Sequence, residues 1–158
     1  MYRIPLSKGK YAIVDREIFD KLSKRKWHFN GRYAARHIKG NNRKLLLMHR
    51  VILETSKGLE TDHINGDKLD NRRSNLRECT VSQNAMNKKV NLSSSSGYKG
   101  VQSFKEGSGK KWRVQIILNN KKIELGYFND KEEAALAYNE AAKKYFGEFA
   151  CLNQLRLI

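Results

Sequence analysis

The spacing of hydrophobic positions changes along the chain, and each change marks an element. Near the C-terminal end Trp112, Val114, Ile116 and Leu118 alternate with Arg113, Gln115 and Ile117, and Asn119-Asn120 separates this run from Lys121-Lys-Ile-Glu-Leu125. A period of two is that of a strand, and the paired asparagines mark a hairpin. Gly100 to Phe104 supplies a third strand. Helical spacing follows in Ala134-Ala-Leu-Ala-Tyr-Asn-Glu-Ala-Ala142, opened by the capping-box signature Asp130-Lys-Glu-Glu133 and ended near Gly147. Three strands and one alanine-faced helix make a two-layer unit, because small side chains let helix and sheet approach closely.

The N-terminal half is more broken. Tyr11-Ala-Ile-Val14 reads as a strand and Arg16 to Lys24 as a helix with Ile18, Phe19 and Leu22 on one side. Asn30-Gly31, between Trp27-His-Phe and Arg32-Tyr-Ala-Ala, is a hairpin signal of the type I′ kind, in which both central residues take positive φ. Leu45 to Leu53 is open between helix and strand. Thr80-Val-Ser-Gln83 is a second capping box, and a helix from about Val81 to Lys89 is expected.

Composition sharpens the division. Asn91-Leu-Ser-Ser-Ser-Ser-Gly97 reads as a linker between a domain at 1–90 and one at 98–158. The 158 residues carry 32 Lys and Arg against 16 Asp and Glu, a net charge of +16. The excess lies mainly in residues 1–92, with 21 basic against 9 acidic residues. A surface this positive captures polyanions, of which nucleic acid is the obvious one. No run approaches the about 18 apolar residues that span a bilayer, and no secretory signal opens the chain, so the expected location is intracellular, cytoplasmic and DNA-associated. Cys79 and Cys151 lie far apart and form no Cys-x-x-Cys pair, which supports neither a zinc ribbon nor a disulfide scaffold.

Residues 59–87 hold the candidate chemistry. A carboxylate beside an imidazole (Asp62-His63), a Gly-containing loop, and asparagines before and on a capped helix form one polar set. Phosphodiester hydrolysis needs a base near neutral pH, which suits histidine, and a hard cation on oxygen ligands, which suits Asp and Asn. It also needs a group that orients the imidazole, and an Asn side chain can do this.

Asp62-His63-Ile-Asn-Gly-Asp67, Asp70-Asn71-Arg-Arg-Ser-Asn75-Leu-Arg77 and Gln83-Asn84-Ala-Met-Asn87, preceded by Met48-His49-Arg50, closely resemble the HNH endonucleases of phage and mobile introns. The resemblance implies a β-β-α-metal finger holding one divalent cation. It implies Asp62 as the metal-binding carboxylate, His63 as general base, Asn75 on the second strand as its catalytic companion, and Asn84 on the helix as the second metal ligand, with Asn87 as the competitor of Asn84. Many members have a second His at the helix position. Asn there biases the site toward Mg²⁺ or Mn²⁺ and away from zinc. Arg72, Arg73 and Arg77 are candidate phosphate anchors. His49 reads as packing against the finger, and His28 and His37 as structural or phosphate-facing.

Residues 97–153 resemble a second family. Gly97-Tyr-Lys-Gly-Val101, Lys111-Trp112, Leu125-Gly-Tyr-Phe128, Glu132-Glu-Ala-Ala135, Ala137-Tyr138, Ala141-Ala142 and Ala150-Cys-Leu-Asn153 are similar to the Apetala-2, or ethylene-response-factor, DNA-binding domain. That likeness implies a three-stranded sheet laid in the major groove, with Lys99, Gln102, Arg113, Gln115 and Lys122 as contacts. Trp112, Tyr127, Phe128, Tyr138 and Tyr145 read as core. Phe104 and Glu124 fall where the plant pattern has Arg and Trp, so the plant target sequence does not transfer.

The fold expected is α+β, an HNH β-β-α-metal domain followed by a three-stranded antiparallel sheet with one packed helix. The function expected is a homing-type, divalent-metal-dependent nickase of double-stranded DNA, monomeric or weakly dimeric, leaving 5′-phosphate and 3′-hydroxyl ends. A catalytically silent DNA-binding regulator is the alternative.

Overall fold

The computed structural model describes residues 1–38, 44–90, 94–104 and 112–155. The first residues of the expected linker, 91–93, and Lys111 of the second resemblance lie outside them. The architecture is α+β, with four small antiparallel sheets and four helices among the described residues. The chain divides into two compact units, Met1–Asn84 and Ala85–Ile158.

In the first unit β1 (Tyr2–Pro5) pairs with β2 (Tyr11–Val14), and α1 (Arg16–Ser23) follows. Ile18, Phe19 and Leu22 of α1 all turn to the core, as their spacing requires. β3 (His28–Phe29) pairs with β4 (Ala34–His37) through a loop that differs from the expected type I′ turn. Gly31 takes φ of 98°, but Asn30 instead accepts from the backbone N–H groups of Arg32 and Tyr33 through Oδ1, at 3.0 and 2.8 Å. The asparagine closes the loop with its side chain as well as its backbone, whose N–H donates to the Tyr33 carbonyl at 3.1 Å. The open stretch Leu45 to Leu53 resolves into both alternatives, β5 (Leu45–Leu47) and then α2 (Met48–Leu53). Ile4, Ala12, Val14, Leu22, Trp27, Ala34, Met48, Ile52 and Leu76 form the core.

β6 (Glu60–His63) and β7 (Leu76–Cys79) pair with Asp62 opposite Arg77 and His63 opposite Leu76. The loop between them ends in a 3₁₀ turn, Arg73–Asn75. Midway it is stitched to β2, Ile13 donating to the Leu69 carbonyl and Asn71 to the Ile13 carbonyl, both at 2.8 Å. α3 (Val81–Met86) opens on a reciprocal cap, Gln83 Oε1 accepting from Thr80 N–H at 2.8 Å and Thr80 Oγ1 from Gln83 N–H at 3.2 Å. It stops short of the expected Lys89.

In the second unit β9 (Trp112–Leu118) lies between β8 (Val101–Ser103) and β10 (Lys121–Phe128), with α4 (Lys131–Phe146) against one face. Asn119 and Asn120 take φ of 50° and 62°, the turn their pairing predicts. Asp130 Oδ1 caps α4 from Glu133 N–H at 2.8 Å. Val101, Val114, Ile116 and the helix residues Ala134, Ala135, Tyr138 and Ala142 make the buried layer. Two aromatics depart from the core assignment. The β9–β10 register shifts between Glu124 and Gly126, so Tyr127 pairs opposite Arg113 on the outer face and Phe128 opposite Trp112 on the inner one. Tyr145 lies 36% exposed on α4.

Candidate active site

His63 ends β6 completely buried, beside Asp62 at 1% exposure. Strand pairing fixes their backbone, and the long loop supplies the groups around them. Asn71, also fully buried, donates from Nδ2 to the Leu69 carbonyl at 3.0 Å, which fixes which way its amide points. Its Oδ1 therefore lies 3.4 Å from His63 Nε2, and an amide oxygen can only accept. The Nε2 proton is set by that contact, and the basic lone pair belongs to Nδ1.

Burial is the main force on the imidazole's charge, and the positive charge of Lys68 is the next; together they bring the His63 pKa down to about 4. Asn71, Asp62 and Asp67 pull the other way without prevailing. His49, on α2, packs edge-on against His63 with ring centroids 4.9 Å apart and lies 4.8 Å from the Tyr33 ring. Burial, then His63, brings its pKa to about 3, and its Nδ1 makes no hydrogen bond. Both rings are neutral at physiological pH.

Asn75 sits at the end of the 3₁₀ turn before β7, not on the strand. Its amide braces the loop, donating to Asn65 Oδ1 at 3.0 Å and to the Asp70 carbonyl at 2.8 Å while Oδ1 accepts from Asn65 N–H at 3.0 Å. The asparagine that touches the imidazole is Asn71. Asp70 in turn is gripped by Arg72 through Nε at 2.8 Å and Nη2 at 2.6 Å. Arg73 donates from Nη2 to the Ile52 carbonyl at 3.0 Å. Arg77 donates to Asp62 Oδ2 from Nε at 3.1 Å and Nη2 at 2.9 Å. All three expected phosphate anchors thus hold acceptors of their own chain.

Asn84, the last residue of the first unit, donates through Nδ2 to the Glu60 carboxylate. Asn87 lies beyond the end of α3. Glu60 and Asp62 alternate on β6 and so face the same side of the strand. Among the described residues no three His, Cys, Asp or Glu side chains cluster to hold a metal. The donors present, a buried carboxylate and the amide of Asn84, fit a hard, water-rich cation rather than zinc. Glu60, Lys68 and Asn71 stand inside the motif region without being singled out by it. For Glu60 the strand alternation with Asp62 is the readable signal.

On the outer face of the second unit Gln102 links Arg113 and Gln115, its Oε1 accepting from Arg113 Nη2 at 3.1 Å and from Gln115 Nε2 at 3.0 Å. The Arg113 guanidinium lies 5.9 Å from the Phe104 ring centroid, and Lys122 is exposed farther along the sheet on β10, opposite Ile117. Lys99 departs from the expected set. It precedes β8, its ammonium is turned onto the Met86 carbonyl, and burial lowers its pKa. His28 and His37 stack on β3 and β4, centroids 5.4 Å apart.

A family model described as HNH endonuclease matches residues 46–86, the stretch from β5 to α3 that contains this site. Over 151 residues the chain is 32% identical to a protein of Acanthamoeba polyphaga mimivirus named as an uncharacterized HNH endonuclease, covering 94% of this chain and 77% of that protein.

Proposed function

The chain belongs to the HNH endonuclease family, and from that membership we propose a homing-type, divalent-metal-dependent nickase of double-stranded DNA. That it is a DNA-cleaving hydrolase follows from the family; the residue roles and the finer activity are part of the proposal. The observation that carries it is the buried His63 imidazole, neutral and held at Nε2 by an oriented Asn71.

His63 Nδ1 takes a proton from a water lying in line with the scissile phosphate. Asn71 keeps the ring from rotating and stabilises the imidazolium as it forms, because its oxygen faces the Nε2 proton. Lys68 places a positive charge near the same imidazole, where the phosphate's negative charge gathers. Asp62 and Asn84 would hold the Mg²⁺ or Mn²⁺ ion, which supplies charge neutralisation at the phosphate and the departing 3′ oxygen. Asn75 acts on the loop, holding Asn65 and the Asp70 backbone so that Asn71 stays in place.

The second unit resembles an Apetala-2-type reader, and its role is to select and hold the DNA. Gln102, Arg113, Gln115 and Lys122 on the outer sheet face are the contacts proposed for the major groove. Lys99, occupied by Met86, is not among them.

Supercoiled-plasmid relaxation with Mn²⁺ or Mg²⁺ against an EDTA control tests the reading. Wild type is expected to nick only with metal, and His63→Ala at matched DNA occupancy is expected not to. Absence of nicking by wild type on DNA it demonstrably binds would leave the silent regulator as the function.

A further inference from the structure

Arg77 is the cross-strand neighbour of Asp62, and both its Nε and its Nη2 reach the same carboxylate oxygen, at 3.1 and 2.9 Å. The two side chains are 12% and 1% exposed, so the pair is held away from water. A carboxylate in that position is costly unless a cation sits on it. In a small metal finger the ion itself often plays this part, and the fold is lost without it. Here the chain supplies the positive charge from its own second strand, so the finger has a folded state that needs no metal.

The consequence concerns the divalent ion, and it rests on the reading of Asp62 as its ligand. Two cations beside one buried carboxylate repel each other strongly where the dielectric is low. Whatever stabilises Arg77 on Asp62 therefore opposes a second cation there, and by linkage the ion opposes Arg77 equally. We propose that Arg77 is a resident counter-cation of the metal site, which keeps the finger folded when empty and competes with the divalent ion for Asp62, so that metal loading and release of the guanidinium are a single exchange. Asn84 needs no such exchange, because its Nδ2 donates to the Glu60 carboxylate while an ion would take its Oδ1.

Mn²⁺ binding to the full-length chain, followed by the loss of the free-ion electron paramagnetic resonance signal, tests the exchange. Arg77→Gln is expected to bind Mn²⁺ at least tenfold more tightly than wild type and to melt at a lower temperature without metal, with Mn²⁺ restoring much of the difference. Arg77→Lys, which keeps a positive charge beside Asp62, is expected to bind Mn²⁺ more weakly than Arg77→Gln, and binding as tight as that of Arg77→Gln counts against the competition. Asp62→Asn is expected to abolish binding with either residue at position 77. An Arg77→Gln affinity equal to or weaker than wild type, with binding still lost in Asp62→Asn, overturns the competition while leaving Asp62 as ligand. Binding that survives Asp62→Asn in both backgrounds overturns the ligand assignment itself, and the exchange with it. Should Arg77→Gln be unfolded without metal, Mn²⁺ is expected to refold it but not the Asp62→Asn/Arg77→Gln double variant; failure to refold it at millimolar Mn²⁺ counts against the exchange.

Discussion

Two imidazoles buried without charge make the nuclease unit sensitive to acid. His63 and His49 have folded-state pKa values of about 4 and about 3, against 6.5 in the unfolded chain, with burial as the leading cause of each. Above pH 6.5 neither state binds the protons, and the full stability is present. As pH falls below 6.5 the unfolded chain takes up protons that the folded one refuses, so stability declines until the folded values are reached. Each imidazole contributes on the order of 1 kcal/mol per pH unit in that window. Urea unfolding at pH 7.5, 6 and 5 is expected to show the decline, and His49→Phe to make it shallower; equal stability at pH 7.5 and 5 would contradict the buried neutral rings. Asn71→Ala is expected to lower the nicking rate about 10- to 100-fold at saturating DNA with little change in affinity. Asp62 and His63 stand out as candidates in the sequence because, although an isolated Asp-His pair is common, the complete spaced set around it is not. Asn71 is not, because Asn65, Asn71 and Asn75 are equivalent as letters. What separates them is the backbone link from Asn71 to Ile13, a partner 58 positions away that no local pattern reveals.

At the scale of elements, local chemistry and long-range geometry divide the credit. The Asp130 cap, the Thr80–Gln83 box and the Asn119-Asn120 turn all form as read, because each is a contact within a few residues. The bulge at Leu125 is hidden from the sequence, since a strict alternation assigns Tyr127 to the core, and one extra residue reverses its face. Gly100 shows the same limit from the other side. Its φ is +76°, and a Cβ there would lie 2.1 Å from the Tyr138 ring and 2.7 Å from the Gln115 carbonyl. Gly100→Ala combines a strained backbone with a clash inside the helix–sheet layer, and is expected to cost the second unit about 3 kcal/mol or more. Gly97→Ala is the control, with φ of +73° and no atom within 4 Å of the new Cβ, so only backbone strain of about 1 kcal/mol is expected. Denaturant melts monitored through Trp112 separate the two. Equal effects would mean that Tyr138 gives way to the added methyl.

For the whole molecule the question is whether holding DNA and cutting it are separate tasks. A net charge of +16 gives affinity for any duplex and makes it fall steeply with salt, so it cannot supply sequence preference. Preference must come from side chains that reach base edges, and the outer sheet face offers Arg113 and Gln115 with Gln102 bonded between them. On the proposed mechanism cutting depends on His63, which belongs to the first unit. Arg113→Ala is expected to weaken binding to a preferred site by about 1–3 kcal/mol, bringing it toward the affinity for random DNA. At saturating DNA the same variant is expected to nick at the wild-type rate, because Arg113 belongs to the second unit and has no part in the proposed reacting set. His63→Ala is expected to behave inversely, with unchanged affinity and no product. Filter binding on selected and random duplexes, paired with single-turnover nicking, measures both quantities for each variant. If Arg113→Ala instead lowers the single-turnover rate at full occupancy, the sheet face participates in the cutting step and the division of labour between the units is wrong.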